Sequence, residues 1–209
     1  MRIQSQAEEF QDLRDSELAQ RMKLLREAFR RRGSGAKPYE AEALALTVEA
    51  ARRKTGLKAH LEQIMGALAI RRQCLVEMAT GEGKTLTIAL AAVGLGWTRH
   101  PLHIITANDY LAARDGKSLR KFYEFCGVSV AYVTGGMVSD ERRTSYEASV
   151  VYTTAKEVAA DFLRDRLALG VFADSGRRII RQLLQRRGSP ADRIVQRGLH
   201  TAIVDEADH

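Results

Sequence analysis

The stretch MATGEGKTLTIALAA, residues 78–92, constrains the fold more than any other part of this 209-residue chain. Glycines flank an acidic residue, a lysine and a threonine follow, and an apolar run continues from them. Upstream, Cys74-Leu75-Val76-Glu77 reads as a strand, and the run through Trp97 reads as a helix. Strand, Gly81-Glu82-Gly83-Lys84-Thr85 and helix make a Walker A layout, although Met78 stands where the motif's first glycine is usual. Glycines let backbone N–H groups approach phosphate oxygens, and the helix adds its N-terminal dipole. Lys84 would reach the β and γ phosphates of ATP or ADP, and the Thr85 hydroxyl would ligate Mg2+.

A phosphate loop needs a metal partner. Ile203-Val204-Asp205-Glu206-Ala207-Asp208 is an apolar strand that delivers adjacent carboxylates, a Walker B arrangement. Asp205 would hold Mg2+ through water, and Glu206 would orient and deprotonate the attacking water. Gln63 sits upstream on an expected helix, and its amide can pair with an adenine edge through one donor and one acceptor.

Between these motifs, short β-rich runs alternate with helical stretches. Strands are expected at 102–106, 128–133, 150–153 and 201–204, besides 74–77. Helices are expected at about 110–125, 139–148 and 155–167. Alternation of this kind implies right-handed βαβ units and a parallel sheet. The expected class is therefore α/β, a parallel-sheet P-loop (RecA-like) motor domain over 56–209. An arginine-rich stretch, 168–193, reads as an insertion.

Residues 1–55 read as a helical annex. Leu18, Met22, Leu25 and Phe29 form one stripe, Asp15 or Ser16 could cap that helix, and Arg21, Lys23, Arg26 and Arg30 line its other face. A break at 33–38 precedes a second helix over 40–54. An apolar stripe with a basic face suits either an anionic membrane surface or packing on its own domain.

A net charge of +7 favours anionic partners. Only 6% of residues are aromatic, so stacking platforms for bases are not advertised and nucleic acid is disfavoured. Two cysteines and five histidines show no metal spacing. The longest apolar run, 88–97, falls short of the roughly 20 residues that span a bilayer. The expected location is cytoplasmic, with peripheral attachment to the inner face of the cell membrane.

The upstream Gln63, TGEGKT and DEAD together resemble the motor core of superfamily 2 helicases. The finer text resembles the SecA preprotein translocase ATPases, in EMATGEGKTLT (77–87), IITANDYLAARD (104–115), YTTAKEVAADFLRD (152–165) and VQRGLHTAIVDEAD (195–208). The segment GLKAHLEQIMGALA (56–69) is similar to that family's glutamine-bearing stretch. Departures mark a divergent member. Ala59-His60-Leu61 replaces a usual His-Phe-Asp, Ala155 and Arg166 stand where Asn is usual, and Ala160 replaces Phe.

The resemblance implies ATP hydrolysis coupled to movement of unfolded preprotein through a SecY-type channel. It implies a preprotein-binding domain and a second motor domain after Walker B, the latter supplying an arginine to the transition state. The chain then reads as an N-terminal part, expected to bind nucleotide and to turn it over poorly alone. Arg114 and Arg164 are the arginines within it that could act as fingers in principle. Alternatives are a DEAD-type RNA or DNA helicase and a nucleotide-binding module without turnover. Oligomeric state stays open.

Overall fold

β-Branched and aromatic runs build the sheet. A computed structural model describes residues 2–32, 38–98, 100–169 and 194–207. The strands are β1 (Leu102–Thr106), β2 (Val130–Tyr132), β3 (Val150–Thr154) and β4 (Thr201–Val204). They form a four-stranded sheet in the order β2-β3-β1-β4, every pair parallel. Parallel strands need crossovers, and helices supply them: α6 (Asp109–Ser118) and α7 (Arg120–Phe125) after β1, α8 (Ser139–Tyr146) after β2, and α9 (Ala155–Leu169) after β3. Before the sheet come α1 (Arg2–Glu9), α2 (Asp15–Arg32), α3 (Glu40–Thr55), α4 (Leu61–Arg71) and α5 (Lys84–Gly96). The α/β parallel-sheet class expected from the sequence is the class observed.

Strand alternation splits the core. Leu102, Ile104, Val150, Tyr152 and Ile203 join α5 in the larger hydrophobic cluster, while Val151, Val133, Tyr146 and Val195 form a smaller one. Helix α3 belongs to the larger cluster. Its residues 43–51 are buried, because it packs against α1, α5 and α7 and its alanines allow close approach. The hydrophobic cluster therefore runs continuously across residues 55 and 56.

Several expectations change. Residues 74–77 form no strand: no strand among the described residues pairs with them, the Cys74 N–H donates to the Ala69 carbonyl at 3.0 Å, and Leu75 is 91% exposed. A β-prone run becomes a strand only where a neighbour supplies the ladder. The helix expected at 110–125 divides at Leu119 into α6 and α7. Asp15 does not cap α2; its carboxylate pairs with Arg53 at 2.7 Å and Lys54 at 2.8 Å, and Glu17 accepts the Arg14 N–H instead. The α2 stripe faces inward: Leu18, Met22, Leu25 and Phe29 are all buried, with Phe29 edge-on to Trp97 at 5.5 Å. That stripe is covered by the domain's own core and is not offered to lipid. The basic side remains outside, except that Arg26 donates to the Gly127 carbonyl at 2.8 Å. Most of the expected insertion, 170–193, lies outside the described residues. No helix among the described residues is long and apolar enough to cross a membrane.

One ion cluster ties the N-terminal helices together. Glu49, buried in α3, accepts from Arg52 at 2.8 Å and Arg53 at 2.6 Å. Arg53 also donates to the carbonyls of Phe10 and Leu13, clamping the turn before α2. Burial pushes the Glu49 carboxyl up, but hydrogen bonds from the two arginines outweigh it and hold it below the usual range. A lowered carboxylate contributes stability that is full above its unfolded pKa and lost as pH falls. Glu49→Gln is expected to cost about 2 kcal/mol near neutral pH, the scale of hydrogen bonds to a charged group. Urea melts at stepped pH should show the difference shrinking as pH falls below about 4.5, the model-peptide range for Glu. A gap that persisted unchanged at pH 3 would remove the charge-based account.

Candidate functional site

The loop is shaped by its glycines. Gly81 has φ +87° and Gly83 φ +81°, left-handed conformations that disfavour a Cβ. Gly83 immediately precedes α5, and a Cβ there would also strike the amide nitrogen of Gln63. The first amides of a helix lack intrahelical acceptors, so those of Lys84 and Thr85 stand free at the start of α5. Thr87 helps hold the entry, since its N–H and hydroxyl both donate to the Gly83 carbonyl, at 3.1 and 3.3 Å.

Gln63 supports this loop directly. It is 9% exposed; its amide nitrogen donates to the Glu82 carbonyl at 2.8 Å, and its oxygen accepts the His60 N–H at 2.9 Å. An amide carries a further N–H and a further lone pair beyond these two bonds.

The acidic end of β4 faces this loop. The Asp205 N–H donates to the Ile105 carbonyl at 2.9 Å, extending the β1–β4 ladder past Val204. Burial, then the neighbouring Glu206 carboxylate, raise the Asp205 pKa above the usual range; the Glu206 N–H and the Lys84 ammonium pull it back. Lys84 and Asp205, 121 positions apart by their numbers, are thus electrostatic neighbours. Glu206 has φ +55°, an unusual backbone state for a residue with a side chain, and is exposed. Such strain turns the chain sharply at the strand end and sets the Glu206 side chain apart from the strand's alternation. The site lies at the carboxyl ends of β1 and β4, and open α/β sheets bind ligands outside the carboxyl ends of their strands.

A hydroxyl such as that of Thr85 and a carboxylate such as that of Asp205 are the oxygen donors a hard ion such as Mg2+ takes, and no cluster of three His, Cys, Asp or Glu side chains that could hold a metal is present among the described residues. An apolar groove of about 440 Å3 lies elsewhere, between α9 and β4, lined by Ile105, Val158, Phe162, Leu199 and Ala202. His103 and His200 are the titratable groups among its described lining residues, which include no carboxylate, lysine or arginine.

A family model of the SecA DEAD-like domain matches residues 1–209. The chain belongs to the SecA DEAD-like domain family. It is 46% identical over 207 residues to protein translocase subunit SecA 2 of Chlorobium chlorochromatii, covering 99% of this chain and 31% of that protein. It is 43% identical over 197 residues to protein translocase subunit SecA 2 of Magnetococcus marinus, covering 94% of this chain and 30% of the relative. Against protein translocase subunit SecA of Acidithiobacillus ferrooxidans it is 38% identical over 183 residues, 86% of this chain and 18% of the relative. The chain thus spans about a third or less of the length of these relatives.

Much of the text that carries the SecA likeness builds structure around the site. Asn108 caps α6, its side chain accepting the Leu111 N–H at 2.9 Å. Asp109 accepts the Gly135 N–H at 2.7 Å, tying the loop after β1 to the loop after β2. Arg114 and Asp115 pair at 2.8 Å. In α9, Glu157 and Asp161 take Arg142 at 2.6 and 2.9 Å, while Asp161 also accepts from Arg164 and from the Tyr146 hydroxyl. Asp165 accepts the N–H groups of Val195 and Gln196, fastening the approach to β4. Arg114 and Arg164 are both engaged by carboxylates within the domain.

Sequence reading missed Asp109, Asp115 and the Arg142 cluster. The available signal was the spacing of Glu157, Asp161 and Asp165, which share one helical face and are all buried.

Proposed function

We propose that this SecA DEAD-like domain is the ATP-binding part of a motor that moves unfolded polypeptide through a SecY-type channel. The observation that carries the nucleotide reading is the pairing of a left-handed glycine loop at the start of α5 with Asp205 and Glu206 at the end of β4.

The Gly83, Lys84 and Thr85 amides would bind phosphate oxygens, and the Lys84 ammonium would neutralise the β and γ phosphates. Thr85 and Asp205 would hold Mg2+, which supplies positive charge to the phosphate oxygens when bound. Glu206 would orient the attacking water and take its proton on a carboxylate oxygen. The remaining N–H and lone pair of Gln63 would read the adenine edge. The exposed basic side of α2, with Arg21, Lys23 and Arg30, suits an anionic lipid surface without insertion of its apolar stripe.

The polypeptide assignment rests on membership in a family whose relatives carry the name protein translocase subunit. The test is phosphate release by protein of the relatives' length, supplied in turn with unfolded preprotein plus channel-bearing membranes and with single-stranded RNA or DNA. Stimulation by the first and little by the second is expected, with Lys84→Ala abolishing it. Strong stimulation by nucleic acid alone would turn the reading to a helicase. A residue-matched chain of 209 residues is expected to bind MgADP and to release phosphate slowly.

A further inference from the structure

The Walker A loop carries an acidic residue, Glu82, where an incoming triphosphate brings more negative charge. By charge alone this carboxylate weakens nucleotide binding. We infer that Glu82 is a positioning residue that closes the loop on itself, so that its carboxylate preorganises the phosphate site. This inference rests on the nucleotide-binding reading above.

Every polar group of Glu82 is engaged within the loop or its support. Its N–H donates to the Ala79 carbonyl at 3.3 Å, closing a turn over Ala79-Thr80-Gly81-Glu82. Gly81, third in that turn with φ +87°, has the sign that a type II turn requires at this position. The Glu82 side-chain oxygen accepts the Ala79 N–H at 3.0 Å, so the turn is closed from both ends. The Glu82 carbonyl accepts the Gln63 amide N–H at 2.8 Å, and Gln63 is itself fixed by the His60 N–H at 2.9 Å. Nothing lies within 4 Å of a Cβ built at Gly81, so no packing holds that glycine in place. The loop is also exposed at residues 79–82. Two side-chain hydrogen bonds hold this exposed loop, one from Gln63 outside it and one to the Glu82 carboxylate, and only the second lies within the turn.

The two effects of the carboxylate have opposite signs, and substitutions separate them. Glutamine keeps an oxygen for the Ala79 N–H and removes the charge. Alanine removes both. If closure dominates, Glu82→Gln binds as the parent does or more tightly, and Glu82→Ala binds more weakly. A ligand's apparent affinity falls in proportion to the competent fraction of the protein. A loop left closed a fifth of the time would bind about fivefold more weakly. The side chain is exposed, so neither variant removes core packing.

The experiment is calorimetric titration of MgADP into the parent, Glu82→Gln and Glu82→Ala proteins, paired with hydrogen exchange at the Ala79 amide without nucleotide. The expected result is a MgADP affinity for Glu82→Gln equal to or above the parent's and a loss of about fivefold for Glu82→Ala. Ala79 exchange should be slow in the parent and Glu82→Gln and faster in Glu82→Ala. Equal or tighter binding by Glu82→Ala would overturn the inference, since the carboxylate would then act only as a repelling charge. Equal weakening of both variants would also overturn it, pointing to direct contact between the carboxylate and ligand or metal. If the parent fails to bind MgADP, the nucleotide reading fails, and Ala79 exchange still decides whether Glu82 closes the loop.

Discussion

Glu206→Gln is expected to cut ATP turnover about 100- to 10,000-fold, the range of a lost general base, while MgATP binding stays within a few-fold of the parent. The amide keeps the size and the hydrogen-bonding oxygen of the carboxylate but cannot take a proton from water. Glu206 is exposed at the end of β4, so the change removes no core contact. Its φ of +55° places the cost of the turn in the backbone, and Gln meets the same cost as Glu. Removing the carboxylate also removes a like charge beside Asp205, one of the causes that raise the Asp205 pKa. Binding of a divalent cation at Asp205 should therefore not suffer. Steady-state phosphate release and equilibrium MgATP binding, both in protein of the relatives' length, separate the two effects. A variant that kept half the parent's turnover would exclude Glu206 as the base. One that lost binding and turnover together would place it in ligand binding instead.

Arg142→Ala is expected to lower the unfolding free energy by about 3–5 kcal/mol, the cost of breaking a buried ion pair from one side. The Arg142 side chain is 4% exposed and its partners Glu157 and Asp161 are 8% and 1% exposed. The guanidinium also donates to the carbonyls of Met137 and Thr134, at 3.0 and 2.8 Å. One planar fork thus satisfies two carboxylates and two loop carbonyls, and alanine leaves all four short of a donor. Asp161 keeps Arg164 and the Tyr146 hydroxyl, so Glu157 bears more of the loss. Against a typical domain stability of about 5–15 kcal/mol the loss is large. Urea denaturation of parent, Arg142→Ala and Arg142→Lys is the check. Lysine keeps the charge but cannot serve four acceptors in fork geometry, so it should fall between the two. A loss under about 1 kcal/mol for alanine would mean that water replaces the guanidinium and that the cluster is not sealed.

The two motifs that name the chemistry were legible because each is a local pattern. Glycines with positive φ, a following lysine and threonine, and a helix-length apolar run are contiguous in 81–96, and the backbone they demand is the backbone observed. The β-rich runs at 102–106, 150–153 and 201–204 were legible for the same reason, and β3 extends its run only to Thr154. Burial on both faces made the runs of β1 and β3 strongly apolar, whereas β4 buries only Ile203, and parallel pairing follows from the helices between them.

Partner choice was not legible. The β-formers at 74–77 have the composition of a strand and find no ladder among the described residues. The α2 stripe has a composition that serves a lipid surface or a protein core equally, and only the placement of Trp97 and α3 beside it decides for the core. Gln63 carries no local mark of its bond to Glu82, 19 positions away. Arg142 reads as one basic residue among many until the loop after β2 and the face of α9 converge on it.

Periodicity, glycine placement and charge order are properties of neighbouring residues, and they determined the α/β class, the phosphate-loop geometry and the acidic strand end. Hydrogen bonds and ion pairs between distant segments depend on which surfaces meet, and many pairings of similar local quality compete for each one. Only the folded arrangement, by burying some donors and acceptors and exposing others, decided that Asp15 binds Arg53 instead of capping α2, and that the Lys84 charge is felt at Asp205.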